Sequence, residues 1–269
     1  MEDKQIFRDI IYTQSGMQLD LYLPAEVTEP LPVIVWIHGG AWRMGDKEGN
    51  TGRKPPVDIM DQGYVFASIN YRLSHEAIFP AQIHDCKAAI RWLRAHSKEY
   101  YIDPERIGVW GSSAGGHLAA LLGTSIGISE LEGSGGNPQY SSSVQAVCDF
   151  FGPNDFVRMS EMKGELEKES PESLVIGGPL LENADKVIQA NPITYINKTS
   201  PPFLIVHGDS DVVVPLDQSQ IFYEALLKAD VEAGLYIVPN AGHGFEGAST
   251  EQLDEINRMV EDFFNGHLM

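Results

Sequence analysis

Cysteine is nearly absent: the 269 residues contain two, Cys86 and Cys148. Two cysteines without metal-ligand spacing build neither a disulfide framework nor a zinc site, so the chain must hold itself together by a buried core. Both thiols are expected to be buried and free. Long apolar runs are missing as well. None approaches the ~18 residues of a membrane span, and the opening MEDKQIFRDIIYTQ has no basic stretch followed by an apolar one. The expectation is a soluble chain without a membrane partner, cytoplasmic as it stands and periplasmic or secreted if a leader has been removed. Positive charge is scarce too. With 19 Lys and Arg against 38 Asp and Glu the formal net charge is −19, and such a field repels phosphate, which argues against nucleic acid as a partner.

What the chain does have is apolar content, 43%, enough to bury one large core. A single domain over 1–269 is the expectation. The first thirty residues carry two strand-like runs, QIFRDIIYT and MQLDLYLP, joined by QSG, which predicts a hairpin at an antiparallel edge. From LPVIVWIHGG onward the pattern changes. Continuous apolar runs at 32–38, 64–70, 106–111, 144–150, 202–207 and 234–239 alternate with helix-periodic stretches near 55–62, 80–98, 113–124, 215–229 and 248–265. Runs of that kind are strands of a parallel sheet covered on both faces, and the βαβ order predicts an α/β, doubly wound, mostly parallel sheet. The charged stretch SEMKGELEKESPESLVIGG lies in an insertion after the strand at 144–150, and 154–190 is a candidate lid on the substrate side.

The stretch RIGVWGSSAGGHLAALL places two serines between glycines. Gly111-Ser112-Ser113-Ala114-Gly115 matches G-x-S-x-G only when centred on Ser113, because centring on Ser112 would require glycine where Trp110 and Ala114 stand. The context is the one that motif needs: a buried strand enters, a sharp turn follows, and a helix leaves. A serine hydroxyl reacts at neutral pH only when a base takes its proton and fixed donors meet the oxyanion. The Ala114 N–H at the helix start is one such donor. Upstream, VIVWIHGGAW runs from a strand into His38-Gly39-Gly40. Two glycines there leave backbone amides uncovered, so Gly39 and Gly40 are candidate oxyanion donors, with His38 expected to pin the loop.

The base and its orienting acid are sought at later strand ends. PPFLIVHGDSDVVVP carries Asp209 and Asp211, and AGLYIVPNAGHGF carries His243 between two glycines. Among the other histidines, His84 and His96 fall in an amphipathic helix, His117 one turn past the elbow, His207 in a strand and His267 near the end. A serine, then an aspartate, then His243 is the chain order of the α/β-hydrolase template.

HGGAW, GSSAGG, HGDSDVVVP and AGHGF, in this order across residues 30–250, resemble the α/β-hydrolase fold serine esterases. Within them the chain is similar to bacterial carboxylesterases of the feruloyl and acetyl xylan esterase group, related to the hormone-sensitive-lipase branch. The resemblance implies Asp211 as the acid that orients His243, with Asp209 serving the turn. It implies hydrolysis of short-chain or aromatic acyl esters through an acyl-enzyme, without cofactor or metal, on a small-molecule or saccharide-linked substrate. The chain departs from the hormone-sensitive-lipase branch in carrying Ser112 where aspartate is common, and the stretch before its first strand is expected to be too short for that branch's large cap, so cap-based substrate expectations are not expected to carry over. Trp42, Phe79, Phe151 and Phe245 lie near these strand ends and are the candidate walls of an apolar acyl slot. The same residues would also serve an aryl-formamidase or a peptidase. A non-catalytic binding module of this fold would be expected to lack one of the three residues.

Overall fold

Six apolar runs become strands of one sheet, covered on both sides. The computed structural model describes residues 4–50, 54–164 and 169–269. In chain order the strands are β1 (Gln5–Ile11), β2 (Gln18–Leu23), β3 (Leu31–Ile37), β4 (Val65–Ile69), β5 (Ile102–Ser112), β6 (Ala146–Phe150), β7 (Phe203–Gly208) and β8 (Ala233–Val238). They lie in the order β1-β2-β4-β3-β5-β6-β7-β8. The expected hairpin forms the antiparallel edge: β1 pairs antiparallel with β2 and β2 antiparallel with β4, and from β4 onward all pairs are parallel. This is the α/β-hydrolase fold. From β3 the chain moves to β4 on one flank, and from β5 to β6 on the other, so the order reverses between β3 and β5. A crevice at the carboxyl ends of two such strands is where open α/β sheets place their sites.

The helices are α1 (Ala81–Ala95), α2 (Ala114–Thr124), α3 (Ser129–Glu132), α4 (Phe156–Lys163), α5 (Pro171–Ile176), α6 (Ala184–Ala190), α7 (Asp217–Lys228) and α8 (Thr250–Leu268). Two local expectations change. The helix expected over 55–62 is a 3-10 turn at Val57–Gln62, because Pro55 and Pro56 supply no N–H to start a longer ladder. Strand β5 begins at Ile102 rather than 106, and the Asp103-Pro104 turn survives as an irregularity within it. There Asp103 Oδ1 accepts the Glu105 N–H at 2.9 Å, and the pairing with β3 shifts register between Leu31 and Val33.

Alternation along β3 divides the core into two layers. Val33, Val35 and Ile37 face a layer that includes Leu118 of α2 and Phe222 of α7, while Ile34 and Trp36 face Ile256, Val260 and Phe264 of α8. Helix α2 is buried along its whole length, which matches its apolar sequence on all sides. Cys86 and Cys148 are buried as expected, and no disulfide joins them. Among the described residues no helix is long and apolar enough to cross a membrane.

The insertion after β6 holds α4, α5 and α6, with residues 165–168 of the candidate lid outside the described residues. It is anchored to the sheet layers at several points. The Phe156 ring lies 5.2 Å from Trp42 and 5.0 Å from His117, and Phe79 N–H donates to the Val175 carbonyl at 2.7 Å.

Candidate active site

Strand β5 delivers Ser113 to the crevice through a turn that only a particular backbone allows. Ser113 has φ 55° and ψ −121°, a left-handed conformation that costs of order 1–3 kcal/mol in a non-glycine residue. The flanking glycines make the turn possible: a Cβ on Gly111 would stand 2.1 Å from the Gly115 carbonyl oxygen, and one on Gly115 would stand 2.0 Å from that of Ile37. Of the adjacent serines, Ser112 is the last residue of the strand and is buried, whereas Ser113 is partly exposed. Its amide donates to the Phe150 carbonyl at 2.8 Å, which fastens the elbow to β6.

His243 comes from the loop after β8 and bridges two partners. Its Nε2 lies 3.1 Å from Ser113 Oγ and its Nδ1 2.7 Å from Asp211 Oδ2. The Asp211 side chain is fully buried, and its Oδ1 accepts the N–H groups of Val213 and Val214 at 2.8 and 2.9 Å. Burial alone would raise this carboxyl's pKa. Hydrogen bonds from His207 and His243, the His243 charge and the Val214 N–H outweigh it and hold the group well below the usual carboxylate range. An ionised Asp211 only accepts, so His243 carries its proton on Nδ1 and presents Nε2 to the serine hydroxyl.

Asp209, the other aspartate of the same turn, is exposed and faces away. Its Oδ1 accepts the Asn240 N–H at 2.7 Å and the Ser210 hydroxyl at 2.9 Å, closing the β7 and β8 loops against one another. His207, which reads in sequence as a strand residue, is a support of Asp211. Its Nε2 donates to the Val214 carbonyl at 2.9 Å and lies 3.3 Å from Asp211 Oδ2, while Nδ1 and the Ser219 hydroxyl are 2.7 Å apart.

The turn after β3 lies against the elbow. A Cβ on Gly39 would stand 3.4 Å from Ser113 Cβ and 2.8 Å from the Ser112 carbonyl oxygen. Gly40 has φ +115°, and a Cβ there would stand 2.1 Å from the Met44 carbonyl oxygen, so only glycine fits. Ala114 begins α2, where an amide has no partner within the helix. Gly39 and Gly40 line one cavity with Ser113, and Ala114 follows Ser113 directly in the chain. His38 pins this turn, as expected: it is buried, Nδ1 donates to the Gly39 carbonyl at 2.7 Å, and its ring stacks on Tyr71. Burial lowers the His38 pKa to about 4. Farther along the turn, buried Lys47 reaches Asp20 at 2.9 Å and Asp9 at 2.8 Å, tying it to the antiparallel hairpin.

A cavity of about 310 Å³ opens over these groups, lined by Gly39, Gly40, Ala41, Ser112, Ser113, Phe151, His243 and Gly244, with exposed Arg43, Met44 and Val213. Of the four aromatics expected to line it, Phe151 does, its ring 4.8 Å from that of His243. The other three are corrected to the core. Trp42 is buried and donates through Nε1 to His117 Nδ1 at 3.2 Å; Phe79 is buried in the layer beneath α1; Phe245 packs 5.0 Å from Phe151 and 5.1 Å from Phe150. Closeness in sequence to a strand end did not fix the direction of these rings. No described residue of 154–190 lines the cavity, and Arg43, Met44 and Val213 are walls that the sequence did not mark. Among the described residues no cluster of His, Cys, Asp and Glu could hold a metal.

Comparison with known proteins places this geometry in a family. The BD-FAE family model matches residues 19–226. The chain is 31% identical over 261 residues to the probable carboxylic ester hydrolase LipM of Mycobacterium tuberculosis, covering 95% of this chain and 60% of that one. It thus spans about three-fifths of the length of the curated relatives it matches. Among solved structures it is similar to a truncated form of a carbohydrate esterase from gut microbiota, with TM-score 0.87 and 34% identity over 97% of this chain and 95% of that one. It is also similar to an acetyl ester-xyloside bifunctional hydrolase from Caldicellulosiruptor lactoaceticus, with TM-score 0.74 and 27% identity over 93% and 88% of the two chains. The BD-FAE match runs from β2 through the Ser113 elbow and the Asp211 turn into α7, most of the chain, and the chain belongs to the BD-FAE family on the α/β-hydrolase fold.

Proposed function

We propose that this protein is a serine carboxylesterase acting on short-chain or aromatic acyl esters, including acetyl or feruloyl esters of plant polysaccharide. The observation that carries the reading is the continuous chain from Ser113 Oγ through His243 to the buried Asp211. In the proposed cycle Ser113 Oγ attacks the ester carbonyl carbon as its proton passes to His243 Nε2. The carbonyl oxygen takes up negative charge beside the amides of Gly39, Gly40 and Ala114, which is where fixed donors lower the barrier most. Collapse of this intermediate expels the alcohol, which takes the proton from His243, and leaves an acyl group on Ser113. Water then enters by the same route in reverse: His243 takes its proton, the acid leaves, and Ser113 recovers its hydrogen. Asp211 stays ionised throughout and stabilises the imidazolium that forms twice per turnover.

The similarity to a carbohydrate esterase and to an acetyl ester-xyloside hydrolase supports a saccharide-linked substrate. A cavity of about 310 Å³, walled by Phe151 and backbone, is at the small end of ligand sites and suits an acetyl or single-ring acyl group. The test is kcat/KM on p-nitrophenyl acetate, butyrate and octanoate, methyl ferulate, acetylated xylan, and N-formylkynurenine as the amide control. The expected result is turnover of acetyl or feruloyl esters above octanoate. Turnover of N-formylkynurenine alone would replace this reading with an aryl-formamidase.

A further inference from the structure

Arg43 stands apart from every other arginine that the structure describes. Arg8, Arg72, Arg91, Arg106 and Arg158 bind carboxylates, while Arg94 and Arg258 donate to carbonyls. The Arg43 side chain makes no ion pair or hydrogen bond with a described residue, and it is exposed on the wall of the cavity that holds Ser113 and His243. The acids of its own loop are engaged elsewhere. Asp46 accepts from the Glu48 and Asn50 amides and from Asn50 Nδ2, and Glu48 lies 3.7 Å from Lys47 and 3.5 Å from Asn50 Nδ2. Among the described residues no Asp or Glu lines the cavity, and Arg43 is the one permanently charged side chain on its wall. The backbone that carries it is fixed, since the Arg43 N–H donates to the Gly40 carbonyl at 3.1 Å and neighbouring Trp42 is buried.

We propose that Arg43 is a specificity-determining residue that binds a carboxylate carried by the ester substrate. The proposal rests on the serine esterase reading and adds the substrate's charge to it. A guanidinium presents two parallel N–H donors that match a carboxylate, a geometry that lysine cannot reproduce. The chain's net charge of −19 repels anions at a distance, so the preference arises at close range, inside the cavity. Met44 and Val213, exposed on the wall of the same cavity, offer only apolar contact, which places the carboxylate at one point of an otherwise uncharged group. That carboxylate can belong to the alcohol portion, as in a uronic acid, or to the acyl portion, as in the half-ester of a dicarboxylic acid.

Two matched pairs separate these sources. 4-Acetoxybenzoate and 4-acetoxybenzamide carry the charge difference on the alcohol side, and phenyl hydrogen glutarate and its primary amide carry it on the acyl side. For the wild-type chain the ratio of kcat/KM, acid over amide, is expected to exceed one in the pair that matches the natural source. It should fall about five-fold in Arg43→Gln, the scale of an exposed ion pair, through KM more than kcat. Arg43→Lys should retain part of the ratio, Arg43→Glu should invert it, and added NaCl should shrink it. A wild-type ratio at or below one in both pairs, or one that persists in Arg43→Gln, overturns the proposal while turnover of the amides leaves the esterase reading intact. No turnover of any of the four, with no reaction of Ser113 with a fluorophosphonate, means that the esterase reading has failed and this inference with it.

Discussion

Trp42 Nε1 donates to His117 Nδ1 at 3.2 Å. Because that nitrogen accepts, the ring carries its proton on Nε2, which donates to the Ala190 carbonyl at 2.8 Å. One neutral imidazole thus joins the turn after β3, helix α2 and the end of α6. Burial lowers the His117 pKa to about 4 from 6.5, and the sign of its effect on stability follows. Between about pH 6.5 and 4 the unfolded chain protonates this histidine and the folded chain does not, so its contribution is whole above 6.5 and is lost as pH falls toward 4. The Tm difference between wild type and His117→Gln is expected to be larger at pH 7.5 than at pH 5. A difference that stays constant with pH would show that His117 is not held neutral.

Gly40→Ala tests the donors without touching the three side chains. Its Cβ would stand 2.1 Å from the Met44 carbonyl oxygen at a φ of +115°, so the turn must shift and take its amides with it. Loss of one fixed donor costs on the order of 10²–10³ in kcat, and the variant should fall at least that far while still reacting with a fluorophosphonate more slowly than wild type. Unchanged kcat would remove Gly40 from the donor set.

The two aspartates of the Asp209-Ser210-Asp211 turn are predicted to separate by effect. Asp211→Asn removes the acceptor that fixes the His243 tautomer and should lower kcat by roughly 10⁴. Asp209→Asn weakens the contacts to Asn240 and Ser210 and should act on Tm, with kcat within a few-fold. Steady-state kinetics and thermal melts on both variants check this, and the reverse ranking would exchange their roles.

How far the sequence could be read depended on how local each signal was. Ser113 and the turn at Gly39-Gly40 were legible because an elbow and a close backbone approach demand glycine at fixed offsets, and the alternation of apolar runs with helical periods announced the parallel sheet. The separation of Asp209 from Asp211 was not readable from spacing, since both sit in one turn and only burial against His207 distinguishes them. Trp42, Phe79 and Phe245 were misplaced for a related reason: a ring near a strand end can face substrate or core, and the core wins where a neighbour such as His117 or Phe151 already waits for it. His207 was hidden because a histidine in a buried strand resembles any satisfied core residue. Arg43 was hidden because its lack of a partner depends on where Asp46 and Glu48 turn.

Reaction of the folded chain with a fluorophosphonate, followed by peptide mass spectrometry, is the most direct test that Ser113 is activated by His243. A single adduct is expected on Ser113 rather than Ser112, abolished in Ser113→Ala and strongly slowed in His243→Ala, with ester turnover lost in parallel and both variants folded. An adduct on another residue, or a Ser113→Ala variant that hydrolyses esters at the wild-type rate, would contradict it.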